Sequence, residues 1–246
     1  MSTKPPLYNT VFISDLHIGS AGCRADYVLT FLKNHPCKKL YLVGDIFDFW
    51  IFPRSGRWNH SITDLIRYIL KISKTTEVIY IPGNHDDVVR EYVGTLFDAI
   101  AIKQRDIHCT VQGQRMLVLH GDEADSTISV HPKLARLGSV LYETSIVLNM
   151  QVNRIRSWLK LNHWSFSEWL TYKVKDAMKY VNRFEEVIIN MAIVENCHGV
   201  ICGHIHTPTF YMHPGSRFLY ANCGDWISNF SAIVEELDGT LRLIRG

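Results

Sequence analysis

The sequence has no C-x-x-C pair among its six cysteines, no apolar run near the length of a membrane span, and no repeat or low-complexity tract. Scattered cysteines at this length read as free thiols of a reducing compartment, which sets aside a disulfide framework. A spanning helix needs about 18 uninterrupted apolar residues or more. The opening stretch, MSTKPPLYNTVFISD, carries one lysine and two prolines ahead of a strand-like run, without the apolar centre of a secretory signal. The expectation is a cytoplasmic protein, either soluble or peripheral on the inner membrane. Charge is balanced, with a net of +2, so the broad basic face that a nuclease uses is not expected and nucleic acid is not the expected partner. Hydrophobic residues at 47% and charged residues at 20% are ordinary for a globular chain, and 246 residues suffice for one large core.

What the chain does contain is a series of short runs rich in Val, Ile, Leu and Tyr: Tyr8–Ser14, Lys39–Val43, Glu77–Ile81, Arg115–Leu119, Gly199–Cys202 and Phe218–Ala221. Their near-continuous apolar character predicts strands covered on both faces. Helical patterns at Asp26–Asn34 and Ile62–Lys74 separate the first three, and strand–helix alternation argues for an α/β sandwich. The later strands, and the run Ser231–Arg245 with its Asp238-Gly239 turn, are expected to be antiparallel. Residues 130–197 hold no strand signal and read as two or three helices. Pro132 suits a first helical position, and Ser165-x-x-Glu168 reads as a capping box. Leu170, Val174, Ala177, Val181, Phe184 and Ile188 step along one helix face. The expectation is a single domain, 1–246, with a helical insertion at about 130–197.

Each run ends in a short polar motif: Asp15-Leu16-His17, Gly44-Asp45, Gly83-Asn84-His85-Asp86, His120-Gly121-Asp122 and, after the insertion, Gly203-His204-Ile205-His206. Ligands of α/β sheets bind at the carboxyl ends of the strands, so these clusters converge. Together they supply two aspartates, four histidines and one asparagine, a set of oxygen and nitrogen donors suited to Mn, Fe or Zn rather than Ca. Singly each motif is weak, since a lone D-x-H is more often a turn than a ligand pair. The ordered set is what carries information.

That set, D-x-H, G-D, G-N-H-D, H-G and G-H-x-H, resembles the signature of the calcineurin-like metallophosphoesterases from Val11 to Trp226. The resemblance implies a four-layer αββα sandwich holding two divalent metal ions, with manganese the first expectation and iron or zinc the alternatives. It implies Asp15, His17 and His206 on one metal, Asn84, His120 and His204 on the other, and Asp45 bridging. A hydroxide held between two such ions attacks phosphorus in line. His85 is then implied as the residue that stabilises the transition state or protonates the leaving oxygen, and Asp48 as the residue that orients it. Asp48 read by itself is equally a solvated loop carboxylate.

Within the superfamily the sequence is similar to the bacterial UDP-2,3-diacylglucosamine diphosphatases. These cleave a pyrophosphate in lipid A synthesis, releasing UMP and a diacylglucosamine 1-phosphate. The likeness rests on Ser14-Asp15-Leu16-His17, Gly44-Asp45-Ile46-Phe47-Asp48-Phe49-Trp50, His120-Gly121-Asp122 and the insertion ahead of Gly203-His204-Ile205-His206. It departs at His85, where that family has the arginine of G-N-R-D, and in the tract Asn222-Cys223-Gly224-Asp225-Trp226. Trp158, Trp164, Phe166 and Trp169, with Lys173 and Lys175 near them, suit a cap over an acyl chain or a base, with cations reaching phosphate. The same pattern also suits core packing and solvated cations. Arg57, beside Trp58, is a further candidate for substrate contact. The expected partner is a phosphoester substrate, a nucleotide-linked lipid by this likeness, with peripheral membrane contact. A phosphodiesterase or phosphatase acting on a nucleotide, a protein or another small phosphoester, and a metal-binding scaffold without activity, are the alternatives.

Overall fold

Alternation along each strand decides which layer its side chains join. The computed structural model describes residues 7–128 and 166–246, with side chains in the last helix from Lys179 onward. Strands β1 (Tyr8–Ile13), β2 (Cys37–Val43), β3 (Glu77–Ile81), β4 (Leu96–Phe97), β5 (Ile100–Ile102), β11 (Ser231–Glu235) and β12 (Leu241–Arg245) form one sheet, in the order β12-β11-β1-β2-β3-β5-β4. Strands β6 (Asp106–Cys109), β7 (Arg115–Val118), β8 (Gly199–Cys202), β9 (Thr209–Met212) and β10 (Leu219–Asn222) form a second, in the order β6-β7-β8-β10-β9.

Val11, Leu40, Leu42, Val78 and Val234 point to one face of the first sheet and share a buried cluster with the helices. Their neighbours Phe12, Tyr41, Val43, Ile79 and Ile233 point the other way and join Met116, Val118, Ile201 and Ala221 of the second sheet. A period of two therefore builds both cores from the same strands. On the helix side lie α1 (Ala25–Asn34), which buries Val28, Phe31 and Leu32, and α3 (His60–Ile72), which buries Ile62, Leu65 and Ile69. The short α2 (Phe52–Ser55) precedes α3. Asn59 caps α3, its side-chain oxygen accepting the Ile62 N–H at 3.0 Å.

The chain divides into two units, Met1–Asp122 with Ile188–Gly246, and Glu123–Val187. The second unit holds α4 (Glu123–Thr127) and most of α5 (Phe166–Val194). Along α5, Phe184 and Ile188 are fully buried. Pro132, Ser165, Trp158 and Trp164 lie outside the described residues.

The C-terminal hairpin β11–β12 is antiparallel, as expected. Of the other later strands, β9 is antiparallel to β10, but β8 lies between β7 and β10 and is parallel to both. The physical reason lies in the crossovers. Between β7 and β8 the chain passes through the second unit, and between β8 and β10 it passes through β9, which occupies the sheet edge antiparallel to β10. All four residues of β8 and of β10 are buried, the pattern of parallel strands covered on both faces.

Candidate metal centre

Strands β1, β2 and β3 are parallel, and so are β7 and β8, so the loops after them emerge at carboxyl ends. Backbone hydrogen bonds stitch these loops together beyond the strands. Asp15 N–H donates to Gly44 O at 3.0 Å and His17 N–H to Asp45 O at 2.9 Å. Phe49 N–H donates to His85 O at 3.0 Å, and Gly203 N–H to His120 O at 3.0 Å. Asp86 fixes two of the loops from below. Its Oδ1 accepts the Gly83 N–H at 2.6 Å, its Oδ2 accepts the Ile46 N–H at 2.8 Å, and the Tyr80 hydroxyl donates to the same Oδ2.

Turning so many side chains inward requires unusual backbone. Eight non-glycine residues among those described have positive φ, and five are the candidate ligands Asp15 (55°), His17 (46°), Asp45 (52°), His204 (71°) and His206 (52°). A left-handed conformation costs an L-residue about 1–2 kcal/mol, and such costs collect at functional sites. Two glycines make room. A Cβ on Gly44 would stand 2.2 Å from His120 Nδ1, and one on Gly83 would stand 2.3 Å from Asp45 Oδ1.

Three sets of donor atoms converge, His17, Asp48 and His85 forming one beside the two that hold the candidate ligands. In the first of those two, His206 Nε2 lies 3.2 Å from Asp15 Oδ1, and His17 Nε2 lies 3.3 Å from His206 Nε2. In the second, Asp45, His120 and His204 each bring one donor atom to within 4.8 Å of the others. Asp45 Oδ2 faces both, at 3.7 Å from His17 Nε2 and 3.4 Å from His120 Nε2. Asp15 Oδ1, Asn84 Oδ1 and His120 Nε2 are buried with no hydrogen-bond partner. Buried orphan acceptors are costly, and a cation between them resolves the cost.

Behind the imidazoles stand groups that leave Nε2 as the donor. His120 Nδ1 is 3.0 Å from Val43 O, His17 Nδ1 is 3.1 Å from Asp48 Oδ2, and His206 Nδ1 is 3.7 Å from Asp225 Oδ2. Metal-binding histidines are oriented in this way. Electrostatics agree. Burial opposes protonation of His17, but the hydrogen bond to Asp48 and the charges of Asp45 and Asp15 outweigh it and raise the imidazole to about 9. Burial also disfavours the charged Asp45, yet His120, His17 and His85 hold it well below the usual carboxylate range. The acidic residues demand positive charge, which protons on histidine supply unless metal ions do. The residues present fit two divalent ions.

A model of the calcineurin-like phosphoesterase family matches residues 8–208. The chain belongs to that family. It is a metal-dependent phosphoesterase of α/β fold. The chain is 24% identical over 247 residues to the UDP-2,3-diacylglucosamine hydrolase of Psychromonas ingrahamii, covering 96% of this chain and 97% of the relative. It is 22% identical over 242 residues to the protein of the same name from Wigglesworthia glossinidia brevipalpis, covering 96% and 94%. A solved phosphoesterase from E. coli aligns with a TM-score of 0.44 at 12% identity, over 96% of this chain and 97% of that one.

Around the phosphoesterase centre, His85 and Asp48 come together: His85 Nδ1 is 3.1 Å from Asp48 Oδ1, and the His85 N–H donates to Asp45 Oδ1 at 2.8 Å. The His85 ring stacks on Trp50 at 3.9 Å. Of the remaining sequence candidates, only Arg57 has a described side chain. Arg57 is exposed, and its side chain makes no contact with the cluster among the described interactions. Trp158 lies outside the described residues, and Trp169, Lys173 and Lys175 lie on α5 ahead of its described side chains.

Sequence reasoning gave no role to Asp86, Trp50 or Asp225, although all three stand inside motifs it quoted. Asp225 is buried, and its Oδ1 accepts the N–H groups of Ile227, Ser228 and Asn229, while Asn229 Nδ2 donates to His206 O at 2.8 Å. Arg90 Nη2 donates to both carboxylate oxygens of Asp122, at 2.8 and 2.6 Å, tying the loop after β3 to the loop after β7. No helix among the described residues is long and apolar enough to cross a membrane.

Proposed function

We propose that the protein is a dinuclear hydrolase, manganese-dependent, that cleaves the pyrophosphate of UDP-2,3-diacylglucosamine or a closely related nucleotide-linked lipid at the inner membrane surface. The observation that carries the dinuclear reading is Asp45, whose Oδ2 faces an imidazole of each donor group. The substrate class is supported by relatives named UDP-2,3-diacylglucosamine hydrolase that align along nearly the whole chain. In this reading the chain is one catalytic domain carrying a helical insertion.

Asp15, His17 and His206 would hold one ion, Asn84, His120 and His204 the other, and Asp45 both. When bound, two such ions supply an activated water and neutralise charge on the phosphoryl oxygens. The chain supplies the rest. Asp48 faces Nδ1 of His85 at 3.1 Å, and the ring in its protonated form can give the Nε2 proton to the bridging oxygen of the pyrophosphate as that oxygen's bond to the attacked phosphorus breaks. The flat contact with Trp50 keeps the ring from turning away. Asp86 keeps the Asp45 and Gly83 loops in register, so the donors are held before substrate arrives.

A second reading is favoured by one observation. The residue locked between Asp48 and Trp50 is a histidine, whereas the lipid A enzymes that the sequence resembles have arginine there. A guanidinium forks onto phosphate, whereas an imidazole is a single donor. Turnover of a simpler phosphoester or phosphodiester fits that exchange. The deciding assay compares kcat/KM for UDP-2,3-diacylglucosamine, its deacylated counterpart and p-nitrophenyl phosphate in manganese buffer. The proposal expects the acylated compound to lead by orders of magnitude. Equal efficiency with the deacylated compound would replace it with the second reading.

A further inference from the structure

Among the described residues the first sheet has seven strands, and the long helices packed in its outer cluster are α1 and α3. The edge strands β5 and β4 lie beyond them, and there the structure leaves an apolar cavity of about 630 Å³. It runs from buried Ile18 and Ile46 to exposed Leu96 and Phe97, with Ile66 and Leu70 of α3 in its wall. This volume falls within the range of about 300–1,000 Å³ typical of small-molecule sites.

Two features say what it would hold. Among the described residues no charged side chain lines it, and the polar groups away from its mouth are already engaged: Trp58 Nε1 donates to Thr63 Oγ1 at 2.9 Å, Thr95 Oγ1 donates to Tyr92 O at 2.6 Å, and the Tyr80 hydroxyl is taken by Asp86, which leaves the hydroxyl of exposed Tyr92. A sugar, base or phosphate would lose its water there without replacement, so the lining selects an aliphatic chain. The cavity is also continuous with the metal loops. Ile18 follows His17, Ile46 follows Asp45, and Phe47 and Phe49, which lie parallel with ring centres 5.5 Å apart, flank Asp48.

We propose that this cavity binds an aliphatic acyl chain, with the polar end of the amphiphile directed toward the Asp45–Asp48 loop. Its described lining residues all belong to the first unit, whereas the sequence pointed to the tryptophan-rich insertion. That the chain belongs to the substrate rests on the functional reading above, whereas binding of a chain does not.

The test uses the full-length, metal-loaded protein and a bromine-labelled long-chain fatty acid, which quenches tryptophan on contact. Wild type should be quenched saturably, and Trp58→Phe should lose most of that quenching. In a series of unlabelled competitors, affinity should rise about fourfold per methylene from about eight to about twelve carbons. Ile66→Phe, or Leu70→Phe if the first melts abnormally, should fill the cavity and weaken the probe by about tenfold or more. Turnover of p-nitrophenyl phosphate should stay unchanged. Quenching that persists in Trp58→Phe, or affinity unmoved by both filling variants, would overturn the site. Normal chain binding together with equal cleavage of acylated and deacylated UDP-glucosamine would support the cavity and overturn the substrate reading alone.

Discussion

Asp48 sets its Oδ1 3.1 Å from Nδ1 of His85. Its other oxygen lies at the same distance from Nδ1 of His17, so one buried carboxylate positions a candidate proton donor and a candidate ligand together. Burial disfavours the charge, but the bonds to His17 and His85 overcome it and leave the group well below the usual carboxylate range. Asp48→Asn should therefore weaken metal binding about 10–100-fold. Turnover should also stay below wild type when metal saturates, because His85 has lost its anchor. Metal titration with parallel kinetics separates the two effects, and full turnover at saturation would restrict Asp48 to its work on His17.

The His85 backbone N–H reaches Asp45, but its ring groups with His17 and Asp48 and belongs to neither donor group that includes Asp45 or Asp15. His85→Ala should keep the metal content of the wild type while kcat falls by roughly 10²–10⁴. Metal analysis and single-turnover kinetics on the same preparation check this. Lost metal would move His85 into the ligand set.

Gly83→Ala tests how closely the loops fit. The new methyl group would meet Asp45 Oδ1 at 2.3 Å and Asp45 N at 2.7 Å, and neither can retreat without moving the carboxylate. A displacement of that size costs about 10²-fold in activity. The melting temperature should change far less, since both cores lie away from the loop. Near-normal activity would show that Asp45 tolerates displacement.

Far from the metals, Glu235 joins the sheets. Its Oε2 lies 2.8 Å from His108 Nε2 of β6 and accepts from Thr10 and Asn9, and its Oε1 accepts the Val111 N–H. Burial raises its pKa, but the bonds from His108, Asn9 and Val111 prevail and lower it from 4.5 to about 2. A carboxyl whose folded value is depressed stabilises the fold above its unfolded value, and that contribution fades as pH falls from 4.5 towards 2. Glu235→Gln should be less stable than wild type at neutral pH, and the gap should close across that window. Melting curves at stepped pH measure it, and a constant gap would exclude the linkage.

The candidate ligands were legible because each is a polar residue placed directly after an apolar run, a pattern that strand geometry turns into one edge. The two cores were legible for the same reason, as the alternation of Phe12 with Val11 and Ile13 illustrates. What was not legible depends on contacts between distant segments. Asp225 reaches His206 only through the fold, and the parallel setting of β8 and β10 follows from crossovers that local composition does not record. The cavity was hidden because β4 and β5 are two and three residues long, too short for any periodic signal.

The proposed bridging of two ions by Asp45 is tested most directly by electron paramagnetic resonance of the manganese-loaded protein. Two ions sharing a carboxylate about 3.5–4 Å apart are exchange-coupled. Wild type should bind two manganese ions per chain and give the coupled spectrum, and Asp45→Ala should lose both the coupling and the bound metal. One ion per chain, or two uncoupled ions unchanged in Asp45→Ala, would contradict it.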